Sequence, residues 1–552
     1  MKRNIVILGI VCLYACKKTE SPSTPPPTVV QEVPISFTTN WDNITNNVTD
    51  TIPLVVTVSS KIPTAGILYS ISTTWVDSSK QIFKLDTSLN ASSLSLNIPG
   101  FKKVGNYTIV INLTSKSTST NTLSKSISLS RNNFILYTST IPLQISGVTN
   151  SNIMTGIDGS VSGTIYTKIN GKEHFIVSPT LFFSYPLLPA LNFIKNGNTW
   201  SLENSYTSGS MGAGRNYECL DSVNQTWAYA DHGLELSSGT WPHGNINLMK
   251  TTGNALSFSN ISIARSFYHS VSTGDLNNDG LIDVVGLNMG TKGNWYDNLH
   301  TYMQNSDGSF SENRTILMSS AGGRGAGAVL VKNLFGDARP EVIRADYGFN
   351  PAFSQPSDRY SFMIYTFNSS SNKYQLNKDP GPLGVFTNND RGATSIKAHD
   401  FDNDGDLDIA VATEGTNFNG IEIWQNDGQG NFTPSTNKLE FTFEQMQFRE
   451  FNVIDANNDG FLDIVLIPFH YGKLFRVGGN GFNLGTGGVY LNNLLWMNNK
   501  GTFSMYSKQI VVPNIKPTYL KSGKINGQFK FIGIETSTSN SSVNLYEIPF
   551  IF

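Results

Sequence analysis

Nine residues constrain this chain more than any others: Asp400-Phe401-Asp402-Asn403-Asp404-Gly405-Asp406-Leu407-Asp408, running into Ile409-Ala410-Val411-Ala412-Thr413. Acidic side chains stand at the first, third, fifth and ninth places and glycine at the sixth. Carboxylates set this close repel one another, so the pattern makes sense around a hard cation. Ca²⁺ takes six to eight oxygen ligands, and alternating Asp or Asn plus a backbone carbonyl at the seventh place supplies most of them. The glycine permits the sharp turn that such a loop needs.

The device recurs at Asp275-Leu276-Asn277-Asn278-Asp279-Gly280-Leu281-Ile282-Asp283 and at Asp455-Ala456-Asn457-Asn458-Asp459-Gly460-Phe461-Leu462-Asp463. An EF-hand begins the same way but needs a bidentate Glu at the twelfth place. Here the twelfth places are Gly286, Val411 and Leu466. The flanks are β-branched apolar runs, which read as strands rather than helices. A single such loop is also compatible with a metal-free Asp/Asn-Gly turn; three in one register favour the metal.

The chain opens Met1-Lys2-Arg3, followed by an apolar run from Ile5 to Ala15 that is too short to span a bilayer and of signal-peptide length. Leu13-Tyr14-Ala15-Cys16 resembles a bacterial lipobox. That resemblance implies removal of residues 1–15 and lipidation of Cys16, hence a membrane partner through an N-terminal lipid anchor and a bacterial outer-membrane location, surface-exposed. An ordinary secretory signal with a chance cysteine is the alternative. Of 3 cysteines, Cys12 leaves with the signal and Cys16 takes the lipid. Cys219 then has no partner for an intramolecular disulfide. Residues 16–30 include Ser-Pro-Ser-Thr-Pro-Pro-Pro-Thr, an extended tether. A net charge of −2 argues against nucleic acid as partner.

Residues 31–133 are expected to form a small β-sandwich. Alternation is clear in Tyr107-Thr108-Ile109-Val110-Ile111-Asn112-Leu113 and in Leu94-Ser95-Leu96-Asn97-Ile98. Gly105-Asn106-Tyr107 resembles the tyrosine corner of immunoglobulin-like domains. The segment carries no chemical motif and reads as a spacer.

Residues 134–552 repeat. Seven markers stand at 168, 221, 275, 333, 400, 455 and 524, separated by 53, 54, 58, 67, 55 and 69 residues. A second feature travels with them: an apolar strand, an Asn-Gly-type turn and an aromatic, as in Tyr302 to Phe310, Trp424 to Phe432 and Trp496 to Phe503. Each unit reads as four strands, the period of a propeller blade. These units resemble FG-GAP/VCBS repeats, the blades of integrin α-subunit propellers and of many exported bacterial proteins. The resemblance implies an all-β chain: an immunoglobulin-like sandwich followed by a seven-bladed propeller with Ca²⁺-binding loops. The implied ligands are Asp275, Asn277, Asp279 and Asp283; Asp400, Asp402, Asp404 and Asp408; and Asp455, Asn457, Asp459 and Asp463. Leu281, Asp406 and Phe461 would add carbonyls. The Asn333 unit lacks acid at its first and third places, which puts a metal there in doubt. The last unit, at Lys524, has sequence for three strands only, so Phe134 to Thr140 or Leu143 to Ser146 is expected to close the ring by pairing beside Val543 to Ile548.

The face opposite the loops carries the candidate ligand site. Arg215, Arg265, Arg324, Arg391 and Arg449 precede their markers by six to ten residues and would ring the channel mouth. Arg forks bind carboxylates and sulfates; pairing with neighbouring Asp or Glu is the plain alternative. Trp295, Tyr296, His470 and Tyr471 stand in long aromatic connections suited to sugar rings or protein loops, or to packing those loops down. The 7 histidines form no recognisable catalytic motif, so no catalytic residue is assigned. The sequence thus points to a calcium-stabilised surface protein binding a polysaccharide, another glycan or a surface protein. The alternative is a lyase or hydrolase acting on an anionic polysaccharide.

Overall fold

The computed structural model describes residues 32–40, 51–101, 105–131, 136–143, 161–179, 190–206, 214–222, 224–231, 244–252, 255–261, 268–288, 298–313, 316, 326–346, 362–378, 393–413, 420–435, 439–440, 447–469, 489–490, 494–507, 511–512, 515, 519–536, 542–550 and 552. These residues are all-β apart from one short 3₁₀ turn, and none of their helical structure is long and apolar enough to cross a membrane. The chain divides into Met1–Asn132 and Asn133–Phe552.

The first unit has two antiparallel sheets. One is built from Phe37–Thr39, Thr51–Val58 and Ser93–Pro99. The other orders Lys80–Leu89, Ile67–Trp75, Gly105–Ser115 and Thr122–Arg131. Side chains alternate along each strand, so Leu54, Val56 and Ile98 from one sheet meet Ile67, Ile71, Ile109 and Ile111 from the other in a single core. Tyr107 is buried there, edge-on to Phe101 at 4.9 Å.

Among the described residues, the second unit has seven main antiparallel sheets, six of four strands and one of five, besides a two-stranded pair of Val489–Tyr490 with Val511–Val512. Sheet 1 comprises Val161–Ile169, Lys172–Pro179, Ala190–Asn196 and Thr199–Tyr206. Sheet 2 comprises Gly214–Asp221, Thr226–Asp231, Ile246–Thr252 and Ala255–Asn260. Sheet 3 comprises Tyr268–Gly274, Asp283–Asn288, Asn298–Gln304 and Phe310–Glu312. Sheet 4 comprises Ala326–Lys332, Glu341–Asp346, Phe362–Asn368 and Lys373–Lys378. Sheet 5 comprises Ala393–His399, Asp408–Thr413, Gly420–Asn426 and Phe432–Pro434, with Leu439–Glu440 paired to its third strand. Sheet 6 comprises Gln447–Ile454, Asp463–Phe469, Leu495–Asn499 and Thr502–Met505. Sheet 7 comprises Tyr519–Ile525, Gln528–Thr536, Ser542–Pro549 and, from the far end of the repeat region, Tyr137–Pro142.

The first-named strand of each sheet touches the corresponding strand of the sheets before and after, and that of sheet 7 touches that of sheet 1, so these inner strands close a ring. Polar side chains stitch them. Asn216 exchanges two 2.8 Å bonds with the Val271 backbone. Ser270 and Ser272 accept the N–H groups of Val329 and Val331. Asn452 donates to Ser522.

The closing ladder is the expected one. Tyr137–Pro142 pairs with Ser542–Pro549 from Glu547↔Tyr137 to Ser542↔Pro142. It covers what would otherwise be an open strand edge. Four charges reinforce this seam. Fully buried Glu547 meets Lys195 of sheet 1 and Lys530 of sheet 7, Lys530 also meets Glu173 at 2.8 Å, and Trp200 donates to Glu547.

Candidate metal centres

All seven connections from an inner strand to the next strand lie at one end of the ring. Sheets 1 and 7 make theirs with two-residue Asn170-Gly171 and Asn526-Gly527 turns at positive φ. Such turns match the twist of a hairpin. Sheets 3, 5 and 6 insert the nine-residue acidic loops instead.

The three acidic loops share one construction. The first-place carboxylate turns back over the loop. Asp275 accepts the N–H groups of Asp279 (3.1 Å) and Gly280 (2.8 Å), Asp400 those of Asp404 and Gly405, and Asp455 those of Asp459 and Gly460. The fifth-place carboxylates of Asp279, Asp404 and Asp459 accept the N–H of Leu281, Asp406 and Phe461. Asn278, Asn403 and Asn458 sit at φ of 62–63°, a left-handed conformation that Asn tolerates. Gly280, Gly405 and Gly460 are also at positive φ, with nothing within 4 Å of where a Cβ would stand. Backbone conformation rather than space therefore demands glycine there. The second-place Leu276, Phe401 and Ala456 are buried anchors.

The ninth place is different in kind. Asp283, Asp408 and Asp463 are fully buried. One oxygen of each accepts the N–H of the second-place residue, at 2.9, 3.1 and 2.8 Å. The other accepts the N–H of Gln304, Asn426 or Asn498 at the end of the third strand, at 2.9, 2.9 and 2.8 Å. This explains why the acidic loop and the Asn-Gly turn motif travel together: the end of the third strand closes the loop's last carboxylate. Burial pushes these acids up, to about 6 for Asp283 and Asp463 and about 7 for Asp408, against the lowering effect of the backbone bonds. Neighbouring loop carboxylates add to the rise.

Asp400, Asp402 and Asp408 place one carboxylate oxygen each within 4.8 Å of one another. Burial raises Asp402, and Asp404 and Asp400 raise it further. An ionised carboxylate has about four lone-pair positions, so the N–H bonds orient these oxygens without exhausting them. The donor set is all oxygen and concentrates like charge, which fits a hard divalent cation.

The Asn333 loop keeps the frame and changes the chemistry. Asn333 Nδ2 donates to the Asp337 carbonyl at 2.7 Å, and its Oδ1 accepts the Gly336 N–H. Buried Glu341, at the ninth place, accepts the Leu334 N–H at 2.7 Å, and burial pushes it up to about 7. Arg339 lies 3.7 Å over the Phe367 ring and donates to the carbonyl of Leu276 in the next loop. The first-place amide thus bonds within its own loop, while the guanidinium is engaged outside it by Phe367 and the Leu276 carbonyl. Cations also reach the loop at Asp455, where Lys524 bonds the Asp455 carbonyl and lies 3.8 Å from its carboxylate.

Of the residues assigned from sequence to the opposite face, Arg265, Arg324, Arg391, Trp295, Tyr296, His470 and Tyr471 lie outside the described residues, as does Cys16. Arg215 and Arg449 fall on the inner strands of sheets 2 and 6, with side chains outside the described set. His300, near those aromatic positions in sequence, is inside sheet 3. Its Nδ1 is 2.9 Å from the Tyr268 hydroxyl, and it is buried against that ring. Sequence reasoning missed the ninth-place clamp and its strand-end partners. The visible signal was an acid at the ninth place even in the loop that had lost its first and third.

Residues 400–466 match the profile of an FG-GAP-like repeat. No curated protein matches the chain. A Trypanosoma rangeli sialidase in complex with the inhibitor DANA aligns with 75% of this chain and 58% of its own, at 10% identity and a TM-score of 0.33. A Salmonella alpha-2-macroglobulin mutant aligns with 95% of this chain and 38% of its own, at 8% identity and a TM-score of 0.16. Alignments this loose carry no functional argument. Residues 400–466 thus carry an FG-GAP-like repeat, and the ring of antiparallel sheets is of β-propeller type.

Proposed function

We propose that this chain is a calcium-stabilised binding lipoprotein of the bacterial outer membrane. An immunoglobulin-like spacer anchored at Cys16 carries a seven-bladed FG-GAP/VCBS-type propeller. The propeller recognises a polysaccharide, another glycan or a surface protein through the face opposite the calcium loops. One observation carries this reading: at the loop end, the first-, fifth- and ninth-place acids are engaged in holding backbone and joining strands. That end serves as scaffold, and the ligand surface is left to the other. Calcium bound among Asp400, Asp402 and Asp408 would neutralise a like-charge cluster. The chain's own contribution is to hold those oxygens in place by N–H bonds. Rigid scaffold at one end and variable connections at the other is the usual division of labour in binding proteins.

The test is glycan-array binding by the full chain with calcium and with chelator, paired with an assay for released oligosaccharide. Calcium-dependent binding without product supports the proposal. Product release from an anionic polysaccharide overturns it in favour of the enzyme reading.

A further inference from the structure

At the end of the ring remote from the acidic loops, the inner strands of sheets 2 to 6 enclose a cavity of about 50 Å³. It has room for three or four water molecules at roughly 10–15 Å³ each. Glu218, Thr394, Ser395, Lys397 and Glu450 are in its wall. Lys397 Nζ lies 3.5 Å from Glu218, and Lys521 is bonded to Glu450. In the wall the carboxylates of Glu218 and Glu450 stand with the Lys397 ammonium, and buried Lys521, outside the wall, balances Glu450. Glu218, Lys397 and Glu450 each keep a quarter to a third of their side-chain surface open (27, 28 and 31%). Glu218 holds Lys397 above its usual value against the effect of burial, and Glu450 adds to the rise, so the ammonium stays charged.

This arrangement selects a ligand class. An added anion would face two carboxylates, and an added cation would have to compete for them with Lys397 and Lys521, which already pair with them. A hydroxyl meets neither penalty. It can donate to Glu218 or Glu450 while accepting from Lys397, and adjacent hydroxyls can do both at once. The pairs retain capacity for this, since an ammonium has three donors and a carboxylate about four lone-pair positions. Hydrogen bonds to charged groups are the stronger kind.

We propose that this cavity is a subsite for the hydroxyl-bearing edge of a neutral sugar, whose hydroxyls replace the channel waters while the ring stays above. The inference rests on the reading that this face binds glycans, and it narrows the ligand class to neutral rather than polyanionic.

The experiment is calorimetry on the full chain in calcium. The probes are neutral oligosaccharides of glucose, mannose, galactose and xylose, with polygalacturonate and alginate as the anionic arm. A neutral probe should bind with little change in affinity as salt is raised, because no net charge is neutralised. Lys397→Met should weaken it about tenfold or more, the scale of losing a charged hydrogen-bond pair. Thr394→Trp, which fills the cavity without removing either partner of an ion pair, should do the same in protein that a cooperative melt shows to be folded. Neutral binding that survives Thr394→Trp overturns the subsite and leaves the glycan reading standing. Binding confined to the polyuronates overturns the neutral class. Absence of binding to every probe overturns the glycan reading and the subsite with it.

Discussion

The loops at Asp400 and Asn333 occupy the same place in adjacent sheets and differ in the residues at their first and third places. Both anchor a buried apolar second residue, Phe401 or Leu334, and both end in a buried acid that accepts that residue's N–H. The shared parts belong to the fold. The Asp400 loop then gathers carboxylates, whereas the Asn333 loop spends its first-place amide on its own backbone and brings Arg339. Within one pattern, the ninth place is thus a structural clamp in both loops, and the first and third places are where the two part.

The largest effect should come from breaking what the two loops share. Asp408→Ala and Glu341→Ala each strip a buried acceptor from backbone N–H groups. Leaving such groups unpaired costs about 2–4 kcal/mol. Urea denaturation in chelator should show similar losses for both. A loss confined to Asp408→Ala would mean that the ninth place matters only through metal.

Next comes breaking what they do not share. Chelation should lower the melting temperature, since a ligand of the folded state alone at a hundred times its Kd contributes about 2.7 kcal/mol. Asp400→Asn with Asp402→Asn should reproduce part of that loss and reduce the further response to chelator. Asn333→Ala should destabilise equally with and without calcium. A melt indifferent to chelator would remove the metal from all three acidic loops.

How much of this was legible in the sequence follows the same division. The four-strand period, the closing strand and the loop positions could be read because they rest on alternation, turn residues and a repeated acid pattern. Tyr137–Pro142 was placeable because a three-strand final unit leaves an edge to cover. The clamp was not, because an acid that accepts backbone N–H is spelled the same way as one that binds metal. The seam of Glu173, Lys195, Lys530 and Glu547 joins residues more than 300 positions apart, and no local pattern announces it. The two lysines and two glutamates of the channel were hidden for the same reason.

The pH response sharpens the comparison further. Burial holds folded Glu341 at about 7, above its ordinary 4.5. The folded chain therefore binds this proton more tightly than the unfolded chain. Stability is greatest at the acidic side of that window and falls as pH rises from about 4.5 to 7. In chelator Asp283, Asp408 and Asp463 act in the same direction. In saturating calcium the loop carboxylates stay ionised, which leaves the Glu341 share, on the order of 3 kcal/mol. Glu341→Gln should flatten the calcium-loaded profile between those limits. A profile that keeps its slope would place the titration elsewhere.

The smallest effect separates two cations that look alike. Arg339 belongs to a loop whose first-place amide bonds its own backbone, and its guanidinium is spent on Phe367 and the Leu276 carbonyl. Lys524 reaches a loop that has its full acid pattern, bonding the Asp455 carbonyl and standing 3.8 Å from the carboxylate. A fixed positive charge there opposes a divalent cation at the same oxygens. Lys524 and Asp455 are about a quarter exposed, so solvent screens the interaction to under about 1 kcal/mol. Lys524→Met should therefore tighten one calcium site by about two- to fivefold in a calorimetric titration and slightly lower the stability of the chelated protein. Arg339→Met should cost about 0.5–1 kcal/mol of stability and leave every calcium affinity where it was. If Lys524→Met tightens nothing, Lys524 acts only as a strut on the Asp455 carbonyl.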